Sequence, residues 1–150
     1  MAGAGIIRLD LCEDVFPRVK NTAELRSRMR TEITDDIVAT DSDLKVFRTY
    51  FKDFIAELTN ETASFGEIRD TQDGGLTYTL TDRQKDGGLA KLKPLLELLS
   101  AEYLLWRWYD DLGIGDLMEL SRVRYIDLLN KWKHNNTNEA FVTPTYRPYF

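Results

Sequence analysis

The chain holds one cysteine and one histidine among its 150 residues. Cys12 has no partner thiol, so an intramolecular disulfide is excluded, and one thiol beside the single His134 cannot build a structural zinc site. That cysteine usage fits a reducing compartment. Long apolar runs are missing too. The longest, Leu95 to Leu112, is broken by Glu97, Glu102, Arg107, Asp110 and Asp111, which argues against a membrane span or a membrane partner. The first twenty residues lack the basic and apolar regions of a secretory signal. The triplets Asn60-Glu61-Thr62 and Asn135-Asn136-Thr137 therefore read as coincidental. Positive charge is in the minority, 20 Lys and Arg against 25 Asp and Glu for a net −5. A nucleic-acid binder must neutralise phosphates with clustered cations, so no direct sequence-specific nucleic-acid partner is expected.

What is present is the composition of a soluble globular chain, 43% hydrophobic, 30% charged and 11% aromatic, which excludes wholesale disorder. A chain of this length buries ~68–70% of its unfolded surface around one core. Ile6 to Val15 alternate, with Ile7, Leu9 and Leu11 on one side and Arg8, Asp10 and Cys12 on the other, as in a half-buried strand or extended arm. Pro17 is expected to end that segment. Asn21 with Glu24 reads as a capping box opening a helix with a Leu25, Met29, Ile33 stripe. Thr40-Asp41-Ser42-Asp43 supplies a run of capping residues ahead of Leu44, Phe47, Phe51, Phe54, Ile55 and Leu58, six apolar residues on one helical face.

From Phe65 the period changes to alternation on both sides of Asp73-Gly74-Gly75, which predicts a β-hairpin over about residues 65–80. Such a hairpin is marginal alone and must lean on the helices or on a neighbouring chain. Leu89 to Leu112 reads as a helix apolar at nearly every azimuth, with Pro94 tolerated if it lies in the first turn. Gly113-Ile114-Gly115 then turns the chain into an antiparallel partner helix, Leu117 to Lys133. The fold class is α+β, mainly α: a four-helix core with an inserted hairpin, an extended N-terminal arm and an extended C-terminal tail. One domain is expected over residues 1–136, followed by an aromatic, Pro-interrupted tail over 137–150.

No constellation carries catalysis, so no catalytic residue is assigned. No cofactor or metal is expected either. Glu32, Asp35, Asp36, Asp41 and Asp43 lack the calcium-loop pattern, and Asp41 and Asp43 already serve as caps. His134 reads as a surface histidine near a helix C-terminus. Cys12 has no basic residue nearby in sequence to activate it. Gly3-Ala4-Gly5 follows no strand and lacks the third glycine of a dinucleotide loop. Arg18, Lys20, Arg26, Arg28 and Arg30 form one basic stretch and Arg122 with Arg124 a smaller one, suited to a solvated face or to pairing with an acidic partner or phosphate. Glu97, Glu102, Asp110 and Asp111 are carboxylates without an evident acid–base pairing.

Two aromatic groups exceed the needs of a small core and read as a partner interface: Trp106, Trp108 and Tyr109 on the long helix, and Tyr146, Tyr149 and Phe150 in the tail. Tyr78 on the hairpin joins them.

The helix Leu44-Lys45-Val46-Phe47-Arg48-Thr49-Tyr50-Phe51-Lys52-Asp53-Phe54-Ile55 resembles one in the head–tail connector, or adaptor, proteins of tailed bacteriophages. The later pair, Leu98-Leu99-Ser100-Ala101-Glu102-Tyr103-Leu104-Leu105-Trp106 and Arg122-Val123-Arg124-Tyr125-Ile126-Asp127-Leu128-Leu129, extends the resemblance over about residues 44–135. It implies a non-enzymatic structural protein of the virion, present in the host cytoplasm before assembly. Identical subunits would form a homo-oligomeric ring between portal and tail proteins, with hairpins or tails reaching into neighbours. The long segment Phe65 to Gly88 and the residues up to Pro17 depart from that pattern. The alternative is a small acidic module that binds or inhibits a basic protein.

Overall fold

The computed structural model describes residues 5–29, 37–62, 66–80 and 88–138. Strand β1 (Ile6–Asp10) alternates as expected, with Ile7 and Leu9 buried and Arg8 exposed. It is shorter than the alternation suggests. The Asp10 carboxylate accepts the Glu13 N–H at 3.0 Å, and the Asp10 N–H donates to Asp14 at 2.8 Å. These bonds start a π-helical turn, Leu11–Val15, that runs straight into α1 (Phe16–Arg28). Pro17 lies within the first two positions of that helix, where its missing N–H has no intrahelical role, so it starts a helix and does not end a strand.

The early start rotates the expected face of α1. Asn21 falls inside the helix and caps nothing, and the buried residues are Phe16, Val19, Ala23 and Ser27. Leu25 and Met29 point outward, 57% and 79% exposed. Ile33 lies outside the described residues. The second helix behaves as its sequence dictates. Thr40 and Asp43 close reciprocally, with the Thr40 N–H donating to the Asp43 carboxylate at 2.8 Å and the Asp43 N–H to the Thr40 carbonyl at 2.9 Å. After the short 3-10 turn Asp41–Asp43, α2 (Leu44–Thr62) buries Phe47, Tyr50, Phe51, Phe54, Ile55 and Leu58.

The hairpin is β2 (Glu67–Asp70) and β3 (Gly75–Thr79). It is completed from within the chain: β3 is the centre of an antiparallel sheet ordered β1-β3-β2. The N-terminal segment is therefore an edge strand and not a free arm. Register aligns Ile7, Tyr78 and Ile68 in one buried row, while Arg8, Thr77 and Arg69 form the next row on the opposite face. The linking turn has Gln72 and Gly74 at positive φ, 70° and 98°.

Gly75 permits the close approach of β1 to β3, because a Cβ there would sit 2.7 Å from the Leu9 carbonyl oxygen. Gly75→Ala is expected to cost about 1–3 kcal/mol, since the obstructing atom is backbone and cannot rotate away. Urea titration checks this. A midpoint matching that of the parent protein would show that the strands separate without penalty.

Helix α3 (Gly88–Leu112) starts within one residue of the expected Leu89, and Pro94 lies inside it and not, as its tolerance had required, in its first turn. The Pro94 side chain is exposed. The helix is central, packed against α1, α2, α4 and β1, which accounts for its apolar residues on every side. It ends in a Schellman arrangement: Ile114 N–H donates to the Tyr109 carbonyl at 3.0 Å and Gly113 N–H to that of Asp110 at 3.1 Å, with Gly113 at φ 75°. Helix α4 (Gly115–Asn138) returns antiparallel and continues past the expected end at Lys133, so positions 137 and 138 are helical and the tail cannot begin at 137. The result is a mainly helical α+β fold, with four helices and a three-stranded antiparallel sheet among the described residues.

Candidate functional site

The aromatic residues that suggested an interface lie largely inside the chain's own core. Trp108 is 7% exposed and stacks on Phe47 and Tyr109. Tyr78, fully buried, meets the equally buried Trp132 at 5.0 Å, joining the sheet to α4. Trp106 is half-buried against Tyr103 and Tyr125. A central α3 needs aromatic side chains on all sides, which is why these residues outnumber what a two-layer packing would require. Tyr146, Tyr149 and Phe150 lie outside the described residues.

Within the basic stretch Arg26 is tied inward, and the other described members form ion pairs nearer the surface. Arg26 donates to Glu102 and to Ser121, both at 2.8 Å, and Arg124 donates to the same Glu102 oxygen at 3.0 Å. Arg18 pairs with Glu97 at 3.4 Å, Lys20 with Asp41, Arg28 with Glu24 and Arg122 with Glu119. Arg30 is outside the described residues, as are Glu32, Asp35 and Asp36. His134 and Asp110 are exposed. No group of three or more His, Cys, Asp and Glu is placed to hold a metal among the described residues, and no described helix is long and apolar enough to cross a membrane.

Sequence reasoning missed a polar seam along α2. Asp53, Glu57 and Glu61 recur every four residues and meet Arg107, Tyr125 and Lys133, while Tyr50 one turn earlier donates to Asp111. The signal was present as an acidic stripe flanking the apolar face of α2, but its partners come from two other helices. Burial, then the hydrogen bond to Glu57, holds the Tyr125 hydroxyl well above the ordinary phenol range. Burial and the bond to Asp111 do the same for Tyr50. Tyr103 is raised by burial, although Arg107 donates to its hydroxyl and opposes the rise. Phenols held this way stay protonated at neutral pH, and their hydrogen bonds tie α2 to α3 and α4.

Among the described residues, two accessible surface features stand out. One is apolar: Leu25 and Met29 at the end of α1, with Leu120, Val123 and Ile126 on α4, all more than 40% exposed. The bond from Arg26 to Ser121 brings the end of α1 beside the start of α4.

The other is a groove of about 700 Å³ between α2 and the β2–β3 turn. From α2 it is lined by Lys45, Arg48, Phe51, Lys52, Asp53 and Ile55, and from the turn by Asp70, Asp73 and Gly75, so cations and carboxylates share it. Cys12 is exposed, with an Arg48 Nη 3.7 Å from its sulfur. The basic neighbour absent from the local sequence thus comes from α2. Comparison of the chain with protein-family models, with curated proteins and with solved structures finds no match.

Proposed function

We propose that this chain is a non-enzymatic assembly subunit of the kind it resembles, a phage head–tail connector protein that forms a ring of identical copies between portal and tail. The observation that carries this reading is the outward apolar stripe. Leu25 and Met29 follow helical spacing, yet they face away from the core, and Leu120, Val123 and Ile126 repeat the pattern on α4. Apolar residues placed at helical spacing on the outside of two helices suit burial against another subunit. The polar seam supports the same reading, because its titratable groups are engaged in holding helices together.

The test is mass spectrometry and electron cryomicroscopy of particles produced from the source genome. The chain is expected as a stoichiometric neck component, repeated around the particle axis. Leu25→Glu with Met29→Glu should prevent incorporation while changing stability by less than about 0.5 kcal/mol per site, since neither side chain packs in the core. Particles that lack the chain, or that incorporate the double variant normally, would refute the assignment.

A further inference from the structure

We propose that the outer edge of β2 pairs antiparallel with the same edge of a second copy of the chain, joining two three-stranded sheets into one. The pairing is independent of the ring assembly and leaves the apolar stripe of α1 and α4 free.

The hydrogen-bond phase of the sheet opens this edge. Thr71 N–H donates to the Gly75 carbonyl at 3.0 Å, which makes Thr71 and Gly75 a bonded pair. Bonded and non-bonded pairs alternate along an antiparallel ladder, so Arg69 with Thr77 and Glu67 with Thr79 are bonded pairs as well. Gly66, Ile68 and Asp70 have the opposite phase, and their backbone N–H and C=O groups turn away from β3. Gly66 N–H donates to the Thr62 carbonyl at 3.1 Å, whereas the backbone groups of Ile68 and Asp70 have no bond among the described residues. Glu67, Arg69 and Asp70 are exposed. Open backbone groups along an accessible strand are a template for another strand.

Charge selects the occupant. Glu67 and Arg69 flank Ile68 and share the face of the strand opposite to it. Centring the pair on Ile68 places Glu67 of each copy directly opposite Arg69 of the other, in the non-bonded position where side chains stand closest. Ile68 then meets Ile68 and exchanges both backbone bonds, and Asp70 N–H meets the Gly66 carbonyl of the second copy. Centring on Arg69 would set Arg69 against Arg69, and centring on Asp70 would set Asp70 against Asp70. Like charges directly opposite are destabilising, so the first register is favoured. Charged residues ordinarily keep edge strands apart, but alternation in sign makes this edge complementary to itself. The contact is isologous and closes at two copies.

The test is sedimentation equilibrium of the full chain in reductant, with Leu25→Glu and Met29→Glu present so that neither the stripe nor Cys12 links copies. A monomer–dimer equilibrium is expected at concentrations up to about 1 mM. Adding Glu67→Arg or Arg69→Glu makes both cross-strand contacts repulsive and should weaken dimerisation roughly tenfold. An equimolar mixture of the two should restore it, because one strand then presents two carboxylates and the other two guanidiniums. Neither variant regains the Glu67–Arg69 pair within its own strand, so recovery on mixing reports contact between copies. Both residues are exposed, and the circular dichroism of each variant should match that of the parent.

A second readout needs no charge variant. The Ile68 N–H should gain protection from solvent exchange as concentration rises, whereas the Arg69 N–H, bonded to β3 throughout, should not change. A dimer indifferent to both charge variants, or variants that do not recover on mixing, overturns the proposal. So does an Ile68 amide whose exchange is independent of concentration. Self-association of the parent chain that Leu25→Glu with Met29→Glu abolishes also overturns it, and assigns the contact to the stripe.

Discussion

Raised above pH 10, the protein is expected to lose stability at up to about 3 kcal/mol per pH unit, a slope set by Tyr50 and Tyr125 at about 1.4 kcal/mol each. Tyr50 and Tyr125 are no more than 5% exposed, and burial heads the causes that raise both hydroxyls well above the ordinary phenol range. In the unfolded chain they ionise near pH 10, whereas in the folded protein they remain protonated. The unfolded state then binds fewer protons, so stability declines as pH rises. The contribution is intact below pH 10 and is lost as pH climbs toward the folded values.

A domain with ordinary stability, about 5–15 kcal/mol, cannot sustain that slope for more than a few units. Tyrosinate absorbance from these residues should therefore appear together with loss of helix in one cooperative step. Tyr125→Phe should reduce the slope by about 1.4 kcal/mol per unit. Equal slopes in variant and parent, or full tyrosinate absorbance while the helices persist, would remove the basis of the prediction.

The second large effect is at Glu102. It is 4% exposed, and one of its oxygens accepts from both Arg26 and Arg124. Its other oxygen is buried without a donor among the described residues. The Arg26 side chain is 11% exposed, so Glu102→Ala strands a buried guanidinium, at an expected cost of about 3–5 kcal/mol. Arg124→Ala should cost far less, because its side chain is 53% exposed and water can replace the carboxylate.

Replacing both buried partners, Arg26→Met with Glu102→Leu, is expected to recover most of the loss, because desolvation then has no charge to penalise. Denaturant titrations of the single and double variants measure the coupling. If the double variant is as unstable as Glu102→Ala, the cost comes from packing and not from the orphaned charge.

The elements legible in the sequence are those whose signals are local. Thr40 to Leu58 carries its cap and its apolar face within nineteen positions. The residues from Phe65 to Leu80 carry alternation and a turn, and Gly113-Ile114-Gly115 marks the corner between α3 and α4. Signals that depend on distant partners were not legible. Alternation at Ile7 and Leu9 shows a strand but cannot name β3 as its partner. Pro17 and Asn21 admit two readings, and the packing of Phe16 and Val19 decides between them.

At the candidate sites the same division holds. Lys45, Arg48 and Lys52 look like an ordinary solvated helix face until the β2–β3 turn is brought opposite them. Trp108 and Tyr109 look like surplus aromatics until α3 is known to be surrounded. The inward ties of Arg26 and Arg124 become visible only when Glu102 is placed between two helices.

The order β1-β3-β2 also sets a timetable for synthesis. Strand β1 leaves the ribosome first, but its pairing partner β3 follows roughly 70 residues later. At about 5–20 residues per second, Ile7 and Leu9 wait some 4–14 s for Tyr78 and Leu76 to emerge. During that interval α1 and α2 emerge, whereas α3, the central helix, is still to come. Closing a loop of that length onto a prebuilt hairpin makes β1 docking a late event, and the nascent chain carries an unpaired apolar strand until then.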